Sequence, residues 1–128
     1  MDITVRDYMA TQLVTFSPDM EIMAAMRTLI DKNISGACVL DATGNIVGIL
    51  SEKDCMRVAL GASYHGDKAG LVKEYMSPQV ETVDVDTGII EIATLFYNKQ
   101  YRRYPVLDQG KLVGQISRRD VLKALNKF

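Results

Sequence analysis

Two heptapeptides place chemistry-bearing residues at one spacing: Gly48-Ile49-Leu50-Ser51-Glu52-Lys53-Asp54 and Gly114-Gln115-Ile116-Ser117-Arg118-Arg119-Asp120. Each follows a short apolar run and opens a stretch that reads as a helix. Locally the pattern is a capping box: Ser at the N-cap accepts from the N3 amide, and the acid three residues on reaches back. The same geometry suits a ligand. A helix start carries free N–H groups and positive potential, so it attracts phosphate. A Ser hydroxyl adds a hydrogen bond, and a carboxylate accepts two, which matches the paired hydroxyls of a ribose. The two uses are compatible, because an empty site caps its own helix.

The elements that must position these residues occur twice. Val5-Arg6-Asp7-Tyr8-Met9 recurs as Val72-Lys73-Glu74-Tyr75-Met76, an offset of 76 − 9 = 67. Thr15 then meets Thr82, Ile22 meets Ile89, and Val39-Leu40-Asp41 meets Val106-Leu107-Asp108. One residue is lost in a turn, where Ala42-Thr43-Gly44 faces Gln109-Gly110, and at an offset of 66 Ser51 meets Ser117 and Asp54 meets Asp120. Within each copy a strand near Val14-Thr15-Phe16 is expected. A helix follows, with Ile22, Ala25, Met26, Leu29 and Ile30 on one face, and Ile89, Ile92, Ala93, Phe96 and Tyr97 at the matching positions. Strands at 37–40 and 46–50, or 104–107 and 112–116, flank a polar turn, and a second helix starts at Glu52 or Arg118. The unit is β-α-β-β-α, read as repeat 1 over 1–60, a glycine-bearing connector over 61–71, and repeat 2 over 72–128. The fold class is α+β, two repeats packed sheet to sheet with pseudo-twofold symmetry.

Composition bounds the function. A chain of 128 residues, 48% hydrophobic and with net charge -1, buries a real core and gives no bulk reason to bind nucleic acid or membrane. No apolar run approaches the roughly 18 residues of a membrane span, and the N-terminus lacks the blocks of a signal peptide. Cys38 and Cys55 fit reduced residues of a cytoplasmic protein. His65, the one histidine, has no second ligand that would make a metal site with Asp67, and reads as a solvated loop residue. Cys38 reads as core. Cys55 lies in the first turn of a helix, where a thiolate can be stabilised, but no base or resolving partner is visible. Met20, Met23, Met26 and Met56 read as core and interface filler. Arg102-Arg103 and Arg118-Arg119 lack the aromatic platforms or groove-reading helix of nucleic acid binding. No nucleophile–base pair appears, so no enzyme is expected.

The tandem β-α-β-β-α unit with its Gly-x-x-Ser-x-x-Asp ending resembles a CBS-domain pair, or Bateman module, from about Val5 to Leu125. The resemblance implies a regulatory ligand, an adenosine compound such as AMP, ADP, ATP or S-adenosylmethionine, with no cofactor required. It implies two clefts, each taking its adenine wall from one repeat and its Ser and Asp from the other. One cleft would hold Thr15, Ser35, Gly36 and Ala37 with Ser117 and Asp120, and Arg118 and Arg119 near phosphate. The other would hold Thr82, Arg102, Arg103 and Tyr104 with Ser51 and Asp54, and Lys53 near phosphate. It also implies a homodimer through helical faces. With no enzyme, channel or transporter domain in the sequence, a separate regulated protein or self-association would carry the output. A ligand-free dimerisation or docking module is the alternative.

The two clefts differ in residue type. Ser35-Gly36-Ala37 leaves room for a flat base, and Arg118 and Arg119 suit forked phosphate contacts. Arg102, Arg103 and Tyr104 bring bulk to the equivalent wall, and Glu52 repels phosphate. The first cleft is therefore expected to be the stronger. Copy two keeps the family's proline as Pro105, where copy one has Cys38.

Overall fold

The computed structural model describes residues 3–61 and 69–127, so His65 and most of the connector lie outside the described residues. The chain forms two compact units, Val14–Val80 and the described parts of 1–13 with 81–128. These packing units cut the chain differently from the sequence repeats, because the opening segment of each repeat belongs with the body of the other.

In the Val14–Val80 unit, β1 (Thr15–Phe16), α1 (Ile22–Lys32), β2 (Gly36–Leu40) and β3 (Ile46–Ser51) are followed by two short helical pieces, α2 (Glu52–Cys55) and α3 (Arg57–Leu60). The sheet order is β1-β2-β3, with β1 parallel and β3 antiparallel to β2. The other unit repeats this with β4 (Val83–Asp84), α4 (Ile89–Asn98), β5 (Arg103–Asp108), β6 (Lys111–Ser117) and α5 (Arg118–Leu125), in the order β4-β5-β6. The fold is α+β, as the sequence implies. One expected helix is divided: the second helix of repeat 1 breaks at Met56, whose N–H bonds back to the Lys53 carbonyl in a tighter, three-residue turn.

The residue lost between repeats has a local cause. In repeat 1 the β2–β3 turn is built on Asp41, whose Oδ1 accepts from the N–H of Thr43 and Asn45 at 3.0 and 2.9 Å. In repeat 2 the turn closes with Gln109 and Gly110 at positive φ, 50° and 81°, the two-residue hairpin geometry that needs no third residue.

Each unit has its own buried apolar cluster. One gathers Phe16, Ile22, Ala25, Leu29, Val39 and Leu50. The other gathers Val83, Ile89, Ile92, Phe96, Val106 and Ile116. The helix face read from sequence is narrower in both. Ile22, Ala25 and Leu29 are buried, yet Ile30 is 73% exposed; Ile89, Ile92 and Phe96 are buried, yet Tyr97 is 91% exposed. The reason is angular: residue i+8 lies about 80° round the helix from residue i, at the edge of the covered stripe.

The repeated Val-x-x-Tyr-Met segment becomes a short 3-10 turn in each repeat, Val5–Asp7 and Val72–Glu74. Val5 is fully buried in the cluster built on 81–127, and Val72 in the cluster built on 14–60. The hydrogen bonds correspond. Val5 N–H donates to the Thr87 carbonyl at 2.8 Å and Val72 N–H to that of Met20 at 2.8 Å. Ala10 exchanges bonds with Gln115, and Ser77 with Ile49. Arg6 pairs with Asp86 at 3.3 Å, and Lys73 with Asp19 at 3.1 Å. Burying a valine stabilises by about 2 kcal/mol, whereas these exposed ion pairs add little.

Candidate functional site

In each repeat the opening of the central strand meets the end of the third strand, where the helix starts. Gly36 is the register partner of Ser51, and Arg103 of Ser117. The first residue of the helix is tied to the same place: Glu52 N–H donates to the Ser35 carbonyl at 2.9 Å, and Arg118 N–H to the Arg102 carbonyl at 3.1 Å. Ser35, Gly36, Ala37, Ser51 and Asp54 are thus grouped in one unit, with Thr15 on the neighbouring strand β1. Arg102, Arg103, Tyr104, Ser117 and Asp120 are grouped in the other, with Thr82 just ahead of β4.

Both capping boxes are formed. Asp54 N–H donates to Ser51 Oγ and Asp120 N–H to Ser117 Oγ, each at 3.2 Å. In return Asp54 Oδ2 accepts Ser51 N–H and Asp120 Oδ2 accepts Ser117 N–H, each at 2.9 Å. One oxygen of each carboxylate is therefore engaged by its own helix. The two caps differ in one bond. Ser51 Oγ donates to Asp54 Oδ2 at 3.0 Å; among the described residues Ser117 makes no such bond to Asp120.

The surrounding charges also differ. Arg118 and Arg119 are exposed at the start of α5, whereas α2 starts with exposed Glu52 and Lys53. The Arg118 Nε donates to the Tyr101 carbonyl at 3.0 Å, a clamp that Glu52 cannot provide. Nothing in sequence spacing singles out Tyr101 for this, because a main-chain carbonyl is the acceptor.

The wall residues have distinct placements. Thr15, Ser35, Thr82 and Arg102 are exposed. A side chain at Gly36 would press on the Leu50 carbonyl at 3.0 Å, so a small residue keeps β2 close to β3 there. Ala37 and Tyr104 lie in the buried clusters, 7% and 2% exposed. Tyr104 packs inward, its ring 5.0 Å from that of Phe96 and 5.5 Å from that of Tyr101. The bulk expected to crowd the second wall therefore goes largely into the core.

Neither thiol is primed for chemistry. Burial pushes Cys38 from 9.0 up to about 11. Cys55 is also pushed up, by burial and then by the carboxylates of Asp54 and Glu52, which outweighs its place in a first helical turn. At pH 8, Cys38 is expected to be alkylated by iodoacetamide about a hundredfold more slowly than a free thiol, because the thiolate is the nucleophile. A rate near that of free cysteine, followed by mass spectrometry, would contradict this burial. Both cysteines are unpaired, and the described residues hold no group of three or more metal-ligating side chains. No helix among them is long and apolar enough to cross a membrane.

Two three-stranded α+β repeats, each with a Ser-x-x-Asp cap beside the opening of its central strand, define a tandem repeat module. The CBS domain family model matches residues 5–61 and 72–127, and the chain belongs to the CBS-domain family. It is 30% identical over 119 residues to the CBS domain-containing protein YhcV of Bacillus subtilis, covering 92% of this chain and 82% of that protein. Its fold matches that of CBSX2, a CBS-pair protein from Arabidopsis thaliana, in complex with AMP: TM-score 0.83, 28% identity, 97% of this chain and 96% of that one. It is also 30% identical over 112 residues to inosine-5'-monophosphate dehydrogenase of Methanocaldococcus jannaschii, but there it spans 87% of this chain and only 21% of the enzyme.

Proposed function

We propose that this protein is a non-catalytic regulatory module that binds an adenosine-containing nucleotide and passes the signal on by a conformational shift. The observation that carries the reading is the pair of Ser–Asp caps beside the opening of each central strand, on a fold whose 28% identical counterpart CBSX2 is known with AMP. In this reading Thr15, Ser35, Gly36 and Ala37 act with Ser117 and Asp120, and Arg119 and Arg118 meet phosphate. Thr82, Arg102, Arg103 and Tyr104 act with Ser51, Asp54 and Lys53. Asp gives its second oxygen to the ribose and Ser its hydroxyl to phosphate. The set with Ser117 is the stronger, since that hydroxyl is not donated to its own aspartate and two arginines follow it. A ligand held by residues of both repeats favours one arrangement of them, which shifts the population a partner encounters. The unpaired thiols support a cytoplasmic setting.

A second reading, a homodimerisation or docking module without ligand, draws on the apolar side chains left outside. Met23 and Ile30 on α1 are exposed, as are Ile90 and Tyr97 on α4 and Leu122 on α5. A groove of about 480 Å³ lined by Phe96, Tyr97, Val121 and Leu122 runs beside the last two helices. Solvent-facing apolar clusters of this kind mark interaction sites.

Calorimetric titration with AMP, ADP, ATP and S-adenosylmethionine in phosphate-free buffer separates the two. Saturable binding of one of them is expected. No heat at millimolar ligand, from a protein that sediments as a dimer, would replace the sensor reading with the docking one.

A further inference from the structure

The hydroxyl of Tyr104 is buried and has no hydrogen-bond partner among the described residues. Nearly all buried polar groups in folded proteins are paired, so an orphan of this kind calls for a reason. Its surroundings supply one. The aromatic body of Tyr104 is locked between Phe96 and Tyr101. Its hydroxyl end feels Glu81, Tyr101 and Arg118, all of them exposed side chains, so it ends just beneath the surface. Burial, then Glu81 and Tyr101, push the phenol above its usual range, with Arg118 opposing; the group stays protonated and able to donate at neutral pH.

We propose that the Tyr104 hydroxyl is a ligand-recognising donor in repeat 2, giving its hydrogen bond to a ring-nitrogen acceptor on the base of the bound nucleotide. The inference rests on the nucleotide reading above and adds the atom that reads the base. Tyr101 supports it: the residue is 45% exposed, and its ring, 5.5 Å from the Tyr104 ring, is an aromatic face on which a base can stack. The Arg118 Nε bond to the Tyr101 carbonyl anchors the backbone that carries this ring. Repeat 1 has no counterpart, because Ala37 occupies the matching position. The effect is therefore confined to one class of site.

The test is Tyr104→Phe, which keeps the ring and removes only the hydroxyl. Wild type and variant are titrated with whichever of AMP, ADP, ATP and S-adenosylmethionine binds wild type most tightly, and their melting temperatures are measured without ligand. A roughly three- to tenfold weaker affinity at one class of site is expected, the scale of one neutral hydrogen bond. The ligand-free melting temperature should be unchanged or higher, since an unpaired buried hydroxyl stabilises nothing. Unchanged affinity at every site, with a lower melting temperature, would mean that the hydroxyl has a structural partner such as a buried water, and would overturn the inference alone. No binding by wild type would overturn the nucleotide reading and this inference with it.

Discussion

Replacing Gly114 with alanine is expected to lower the unfolding free energy by about 2 kcal/mol or more, the scale of forcing an extra carbon into a packed interior. A Cβ there would stand 2.6 Å from the Ala10 carbonyl oxygen and 2.7 Å from Met9 Sδ. The methionine can swing away, but the carbonyl cannot, because Ala10 and Gln115 exchange two backbone hydrogen bonds at 2.8 and 2.9 Å. The strain therefore falls on the attachment of the opening segment, which carries Val5 into the core. Gly48→Ala should act in the same way on the other unit, where a Cβ would stand 2.8 Å from the Ser77 oxygen. Gly44→Ala serves as the contrast, since no atom lies within 4 Å of its Cβ and only its positive φ resists substitution. Urea unfolding followed by circular dichroism measures all three. A Gly114→Ala variant as stable as the parent would show that the opening segment contributes nothing to its unit.

Asp120→Ala is expected to weaken nucleotide binding by roughly 10- to 100-fold, the worth of a hydrogen bond to a charged group. Asp54→Ala should weaken it less. The carboxylate of Asp120 has two duties, however: Oδ2 takes Ser117 N–H in the helix cap, and the other oxygen is assigned to the ribose. Losing the capping contact alone costs about 1 kcal/mol of stability. Measuring affinity and melting temperature together separates the duties. Asp120→Asn keeps an acceptor for the cap and removes the charge, so it should recover most of the stability and little of the affinity. Equal losses of binding in Asp120→Ala and Asp54→Ala, or the reverse order, would overturn the ranking of the two sites.

The amino-acid sequence determined a good deal about this protein by itself. The duplication, its shift from 67 to 66, the element order and both capping boxes are local or periodic properties. Ser51–Asp54 and Ser117–Asp120 could be read because a cap is made within four residues. Three other features were decided only in the tertiary structure. The facing of Tyr104 was hidden because the central strand is covered on both sides: Ala37, Cys38 and Val39 are all buried, as are Tyr104, Pro105 and Val106, so no alternation marks the inner face. The width of the covered helix face was hidden because Ile30 is as apolar as its buried neighbours and Tyr97 carries a large aromatic ring like that of buried Phe96. The core that each opening segment joins was hidden for a deeper reason. Val5 and Val72 are the same residue in nearly the same motif, and the two cores are built from matching elements, so local sequence suits either. The choice is visible only in long-range contacts, such as the backbone hydrogen bonds from Val5 to Thr87 and from Val72 to Met20.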